Sequence, residues 1–366
     1  MKLTVNTETL QRLVSKVIKG ASNNKLLSLT SFINISLNNG QLRLDTTDMT
    51  NYTSVIETGI DGENFEVVVE IDSFSKIVGK TTSETITLEL KDNSLIFTGN
   101  GTYNIELPLN EEGERIKFPM YDFVPNSDVA EIDISDIRSI INSNKACLAV
   151  ENTVPSLMYY YCGDNVISAD QNNICINSIS LFTEPLLISS VMMNLVSMFT
   201  EDKIYVQLSD NGFIKFFSNN YIVYGRLYNQ VEDYPAEPIE AYLTLPFTYN
   251  CKFNKELLLG ALDRLIIFTD KLDDNILNLK FNKNSVTIFN KNNTSYETVN
   301  YLNIIESDEN INYTCAIKYD LFKNQIVSNS TDIINLSFGV EGDTCIKIVD
   351  TQEDNTITKI TSLQEI

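Results

Sequence analysis

Val67–Thr81 reads VVVEIDSFSKIVGKT, and ITLELKDNSLIFTG follows at Ile86–Gly99. A β-branched run leads into a short amphipathic stretch, and two alternating segments then flank Asp92-Asn93. Such a run argues strand, a 3.6-residue apolar period argues helix, and alternation about an Asx turn argues hairpin. The same order recurs twice. EPLLISSVMMNLVSMFT (Glu184–Thr200) precedes IYVQLSDNGFIKFFS (Ile204–Ser218), and YTCAIKYDLFKNQIVSNS (Tyr313–Ser330) precedes IINLSFGVEGDTCIKIV (Ile333–Val349). With Ile71, Ile188 and Ile317 as equivalent strand ends, the repeats lie 117 and 129 residues apart, against a third of the chain, 122. The strands after the helices begin at Ile86, Ile204 and Ile333, at offsets of 15, 16 and 16 residues. Three matches at a near-constant offset predict a threefold internal repeat.

A second helix is expected upstream in each repeat. Leu10, Leu13, Val14, Val17 and Ile18 fall at helical spacing. Ile137, Ile140 and Ile141 do so after Asp133 and Ser135, residues suited to cap a helix. ELLLGALDRLIIF (Glu256–Phe268) carries the strongest helical pattern in the chain. Alternating strands follow at Ile33–Asp48, Leu157–Asp170 and Ile276–Asn290. Lys117–Pro125 (KFPMYDFVP) and Asp233–Tyr242 (DYPAEPIEAY) read as linkers, because proline cannot extend a central strand. Their prolines Pro119 and Pro235 are 116 residues apart, which matches the first repeat separation. The expected fold is α+β, with three similar domains at 1–120, 121–245 and 246–366. Two helices per repeat, each with one apolar stripe to bury, predict antiparallel sheets with both helices on one face.

Composition excludes much chemistry. The 366 residues contain no histidine, so no Ser-His-Asp or Cys-His system and no His-ligated metal can be built. The six cysteines form no C-x-x-C pair and sit in apolar stretches, as free buried thiols do. Neither a G-x-x-x-x-G-K-[ST] nor a G-x-G-x-x-G phosphate loop occurs. No cofactor, metal or catalytic residue is expected. No apolar run approaches the ~20 residues that cross a bilayer, and no h-region opens the chain, so a cytoplasmic protein without a membrane partner is expected.

With 27 basic against 49 acidic residues the formal charge is −22. The cations nevertheless favour the expected helices: Arg12, Lys16 and Lys19 on the first, Lys76 and Lys80 on the second, Arg138 and Lys145 on the third. Lys25 lies after the first helix, and Lys255, Arg264 and Lys323 fall in the last repeat. The Val191–Phe199 stretch has no basic residue. A basic lining in an acidic body would attract a phosphate backbone without reading sequence.

The order and spacing of MKLTV, LDTTDM (Leu44–Met49), KFPMYDF and EDYP (Glu232–Pro235), with the threefold repeat, resemble the bacterial sliding clamp, the beta subunit of DNA polymerase III. The resemblance implies a processivity factor and not an enzyme: two subunits close head-to-tail around duplex DNA, with helices inside and sheets outside. It implies a second copy of the chain, a clamp loader and the replicative polymerase as partners. Arg12, Lys16, Lys19, Lys25, Lys76, Lys80, Arg138, Lys145 and Lys323 would face DNA. Val154, Ile174, Pro246, Leu363 and Ile366 would line the peptide-docking groove, and Ile267-Phe268 would pack against the partner's first domain. The sequence departs from the family at the groove. Ala169-Asp170-Gln171-Asn172-Asn173-Ile174 stands where the family has a T-D-G-H-R-L-like segment.

Two other readings use the same residues. One is an acidic repeat scaffold of this fold that does not encircle DNA. The other is a metal-assisted nuclease built on Asp45 and Asp48, against which turn capping is the stronger explanation of two aspartates at a strand end.

Overall fold

A computed structural model describes residues 1–22, 28–151, 154–269, 275–305, 311–342, 344–352 and 354–364. Among these residues the chain forms seven α-helices: α1 (Thr7–Val17), α2 (Ile71–Lys80), α3 (Ile134–Asn144), α4 (Ser190–Val196), α5 (Ala236–Glu240), α6 (Lys255–Leu265) and α7 (Tyr319–Val327). All six helices expected from the repeats are present. The seventh, α5, lies inside the expected linker Asp233–Tyr242, whereas Lys117–Val124 has neither helix nor strand.

The chain divides into two compact units, residues 1–137 with 191–227, and residues 138–190 with 228–366. The middle third of the sequence is therefore shared between them. Backbone pairing explains why. In the first unit, strand Asn51–Thr58 pairs antiparallel with Tyr221–Arg226, which joins them into one eight-stranded sheet. In the second, Asn173–Asn177 pairs with Thr356–Ser362 and builds another eight-stranded sheet. The local order of helix and hairpin does not reveal these long-range partners.

Within the first unit, α1 begins at Asn6, whose side chain accepts from the Thr9 amide at 3.2 Å. Its stripe of Leu10, Leu13, Val14 and Val17 is buried, and α1 packs on α2 through Phe74 and Val78 of that helix. Burying each such side chain contributes about 1.5–3 kcal/mol. The opposite face of the sheet carries an aromatic cluster, in which Tyr52 stacks on Tyr224 at 4.8 Å. Phe118 and Phe123 of the linker pack over it. The five-stranded sheet of this unit ends at strand Thr102–Glu106. The hairpin turn at Gly212 has φ +75°, which glycine adopts without steric cost.

In the second unit, α6 starts at Asn254, which accepts from the Leu257 amide at 3.0 Å. Leu258, Leu262, Phe322 and Ile326 from α6 and α7 share one core with Leu336 and Ile348 of the sheet. The C-terminal end of α7 is held from two sides. Lys255 donates to the carbonyls of Val327 and Asn329 at 3.0 and 2.5 Å. The buried Lys359 donates to the Gln325 carbonyl and Ser328 Oγ at 3.2 and 2.9 Å. Cations there satisfy the unpaired carbonyls and oppose the helix dipole. A four-stranded sheet in this unit ends at Tyr296–Asn300.

Candidate nucleic-acid interface and docking groove

The apolar stripe of α1 faces the core, so Arg12 and Lys19 stand exposed. Arg12 forms an ion pair with Glu57. Lys16 lies 3.9 Å from the Tyr221 ring centroid and 5.9 Å from that of Phe199. Burial lowers its pKa, against the opposing charge of Glu201. On α2, Lys76 pairs with Asp72 at 2.7 Å, one helical turn away. Lys19 and Lys80 are exposed and have no carboxylate partner among the described residues. Lys25 lies outside those residues.

In the second unit, Arg138 and Lys145 are exposed, on α3 and on the 3-10 turn that follows it. Lys323 of α7 pairs with Asp263 at 2.9 Å and donates to Tyr319 Oη at 3.0 Å. Tyr319 in turn donates to Asp263 at 2.6 Å. The tyrosine and then the aspartate raise the Lys323 pKa. Arg264 is held by Glu297, with Nε at 3.0 Å from the carboxylate. Four of the basic residues singled out in the sequence, Arg12, Lys76, Arg264 and Lys323, thus already have carboxylate partners. Periodicity places a residue on a face but cannot show an acid 45 positions away, as with Arg12 and Glu57.

Of the expected groove residues, Ile174 lies in an apolar cluster with Leu245, Phe247, Val340, Cys345 and Ile360. Ile174 and Ile360 are directly opposite across the junction of their strands. Pro246 is exposed between Leu245 and Phe247, and Val154 is 37% exposed at the start of another turn. Leu363 does not join this cluster. Two-residue alternation turns it to the helix-bearing side of the sheet, where it packs on the core around α6 and α7. Ile366 lies outside the described residues. Sequence reading missed Leu245, Phe247, Val340 and Ile360; Ile360 shares its strand face with Thr358 and Ser362, in a strand buried on both faces whose pattern gives no alternation to read.

Ile267 and Phe268 are 73% and 60% exposed on the 3-10 turn after α6. Tyr296, 73% exposed, begins the outermost strand of the four-stranded sheet. In the first unit, Tyr103 is 46% exposed on the outermost strand Thr102–Glu106. Such bare strand edges invite pairing with another chain.

Asp45 and Asp48 have structural partners. Asp45 is buried and accepts from Arg43 at 2.7 Å, Ser54 at 2.5 Å and Asn34 at 3.1 Å. Asp48 caps its turn by accepting from the amides of Thr50 and Asn51 at 2.8 and 2.6 Å. No group of three or more metal-ligating Cys, Asp or Glu residues occurs among the described residues, and no helix there is long and apolar enough to cross a membrane.

No protein-family model and no curated protein matches the chain by sequence. Solved structures do match it over their full length. The DNA polymerase sliding clamp of Bacillus subtilis superposes with a TM-score of 0.86 at 16% identity, covering 100% of this chain and 99% of that one. The beta subunit from DNA polymerase of Streptococcus pyogenes gives 0.86 at 14% identity, with both chains fully covered. The sliding clamp of Pseudomonas aeruginosa gives 0.84 at 13%, again with full coverage of both. The chain has the sliding-clamp fold, as the sequence resemblance implied.

Proposed function

We propose that this chain, which has the fold of the bacterial sliding clamps, is a processivity factor. Two copies would close head-to-tail around duplex DNA and tether a replicative polymerase, with a clamp loader to open the ring. The observation that carries this reading is the full-length superposition at a TM-score of 0.86. Two bare sheet edges support it, at Thr102–Glu106 and Tyr296–Asn300, since a second copy could pair one with the other. The three-domain division at 120 and 245 belongs to the same reading. Lys19, Lys80 and Lys145 are the exposed cations best suited to meet phosphates, and the cluster around Ile174 is the site for partner peptides. No catalytic step is assigned to the chain.

The ion pairs of Arg12, Lys76 and Lys323 favour one alternative, an acidic scaffold of the same fold that does not encircle DNA. A single experiment separates the two. The protein is loaded with its cognate loader on nicked circular DNA and washed in high salt, then the circle is cut. A clamp stays on the circle and slides off the linear form. A scaffold shows no dependence on DNA ends.

A further inference from the structure

The face of the Asn173–Asn177/Thr356–Ser362 junction turned away from the helices carries a cation in line with its apolar row. Cross-strand register sets one row: Ala169 opposite Ile174, Ile174 opposite Ile360, and Ile360 opposite Lys347. Directly opposed residues have Cβ atoms about 4.5–5.5 Å apart, so Lys347 stands one strand beyond Ile360 and two beyond Ile174. Its Nζ is 4.6 Å from the ring centroid of Phe247, which packs in the cluster of Ile174 and Ile360. One aromatic ring therefore forms both the apolar wall and the seat of the ammonium.

Lys347 has no ion pair among the described residues, in a chain with 49 acidic residues. Burial lowers its pKa, opposed only by Cys345. A partly desolvated ammonium without a counter-ion is costly, and the aromatic face offsets only part of that cost. An arriving carboxylate would supply the rest. The segment Gln171-Asn172-Asn173 brings no charge to the site, and Lys347 on the far side of the junction brings a positive one.

Building on the docking reading above, we propose that Lys347 is the specificity-determining residue of the groove and selects an extended partner peptide with a carboxylate within two residues of its apolar anchor. The anchor packs on the half-buried Ile174 and Phe247, over the buried Ile360, and the carboxylate meets the ammonium over the Phe247 ring. Adjacent strands lie about 4.8 Å apart, which is within reach of an Asp or Glu side chain beside the anchor.

The test is selection of a random nine-residue peptide library on the intact protein. The most enriched peptide is then synthesised with its acid and with the amide in its place. Fluorescence anisotropy measures both against wild type, Lys347→Gln, Lys347→Arg and Ile174→Asp. We expect acids to be enriched beside an apolar residue. Replacing the peptide acid, or Lys347 by Gln, should each cost about tenfold in affinity, with no further loss when both are changed. Lys347→Arg should keep most of the preference. If Ile174→Asp abolishes binding while acid and amide peptides bind alike, the groove stands and the role of Lys347 is overturned. If no peptide is selected, or Ile174→Asp leaves binding intact, the groove reading itself fails.

Discussion

At the scale of single residues, environment separates groups that look alike in the sequence. Lys16 near the end of α1 and Lys19 on the 3-10 turn that follows it are three residues apart, yet Lys16 is seated on Tyr221 and Lys19 is exposed. A cation over an aromatic face contributes about 0.5–2 kcal/mol when partly desolvated. Lys16→Gln should therefore lower the thermal midpoint by about 2 °C and leave the salt dependence of DNA binding unchanged. A flatter salt dependence would put Lys16 on the phosphates after all. The thiols make a second case. All six cysteines are buried, and burial raises the pKa of Cys162, Cys251 and Cys345. For Cys147 the hydrogen bond with Cys175 raises it first, and burial adds to that. The thiolate is the reactive form, so Ellman's reagent at pH 8 should meet almost no reaction in the native protein and six thiols in guanidinium. Prompt reaction of one or more native thiols would show that the units open readily.

At the scale of elements, the sequence spoke clearly where the signal was local. The apolar stripes of α1, α3 and α6 and the Asx or Gly turns between strands follow from spacing alone. Partners distant in the chain left no such trace. The two-residue alternation of side chains tells which neighbours share a face with Ile174 or Ile360, but not that the two strands, nearly two hundred positions apart, lie side by side. Leu363 shows the cost of reading by position: the same alternation places it on the helix-bearing side, away from Ile174. The helices' charge was legible as a count and illegible as a field, because Glu57, Asp72 and Asp263 neutralise their neighbours through folding. The cations left exposed carry the next prediction. Every phosphate that a side chain ceases to neutralise takes about 0.9 from the slope of log affinity against log salt on duplex DNA. Changing Lys19, Lys80 and Lys145 together to Gln should shallow that slope by about 2–3. Changing Arg12, Lys76 and Lys323 instead should shallow it less, since their charges already have partners. Equal effects from the two triples would mean that the ion pairs open freely when DNA arrives.

At the scale of the whole molecule, charge and apolar surface pull assembly in opposite directions. Each chain carries −22, so two copies repel through water until salt screens them over about 8–10 Å. Against that repulsion stand Ile267 and Phe268, whose side chains are 73% and 60% exposed in the single chain. Burying both in a second copy would contribute about 1.5–3 kcal/mol each, with backbone pairing of the bare strand edges in addition. The proposed ring should therefore tighten between 50 and 300 mM salt, while its attraction to DNA weakens over the same range. Sedimentation velocity at several salt concentrations reads the first trend, and retention on linear DNA reads the second. Ile267→Glu with Phe268→Glu should give monomers at every salt concentration. Because both positions are exposed in the single chain, the thermal midpoint of that monomer should match that of diluted wild type. A double variant that stays dimeric moves the interface away from the turn after α6. One that unfolds outright shows that these two side chains support their own unit rather than a partner.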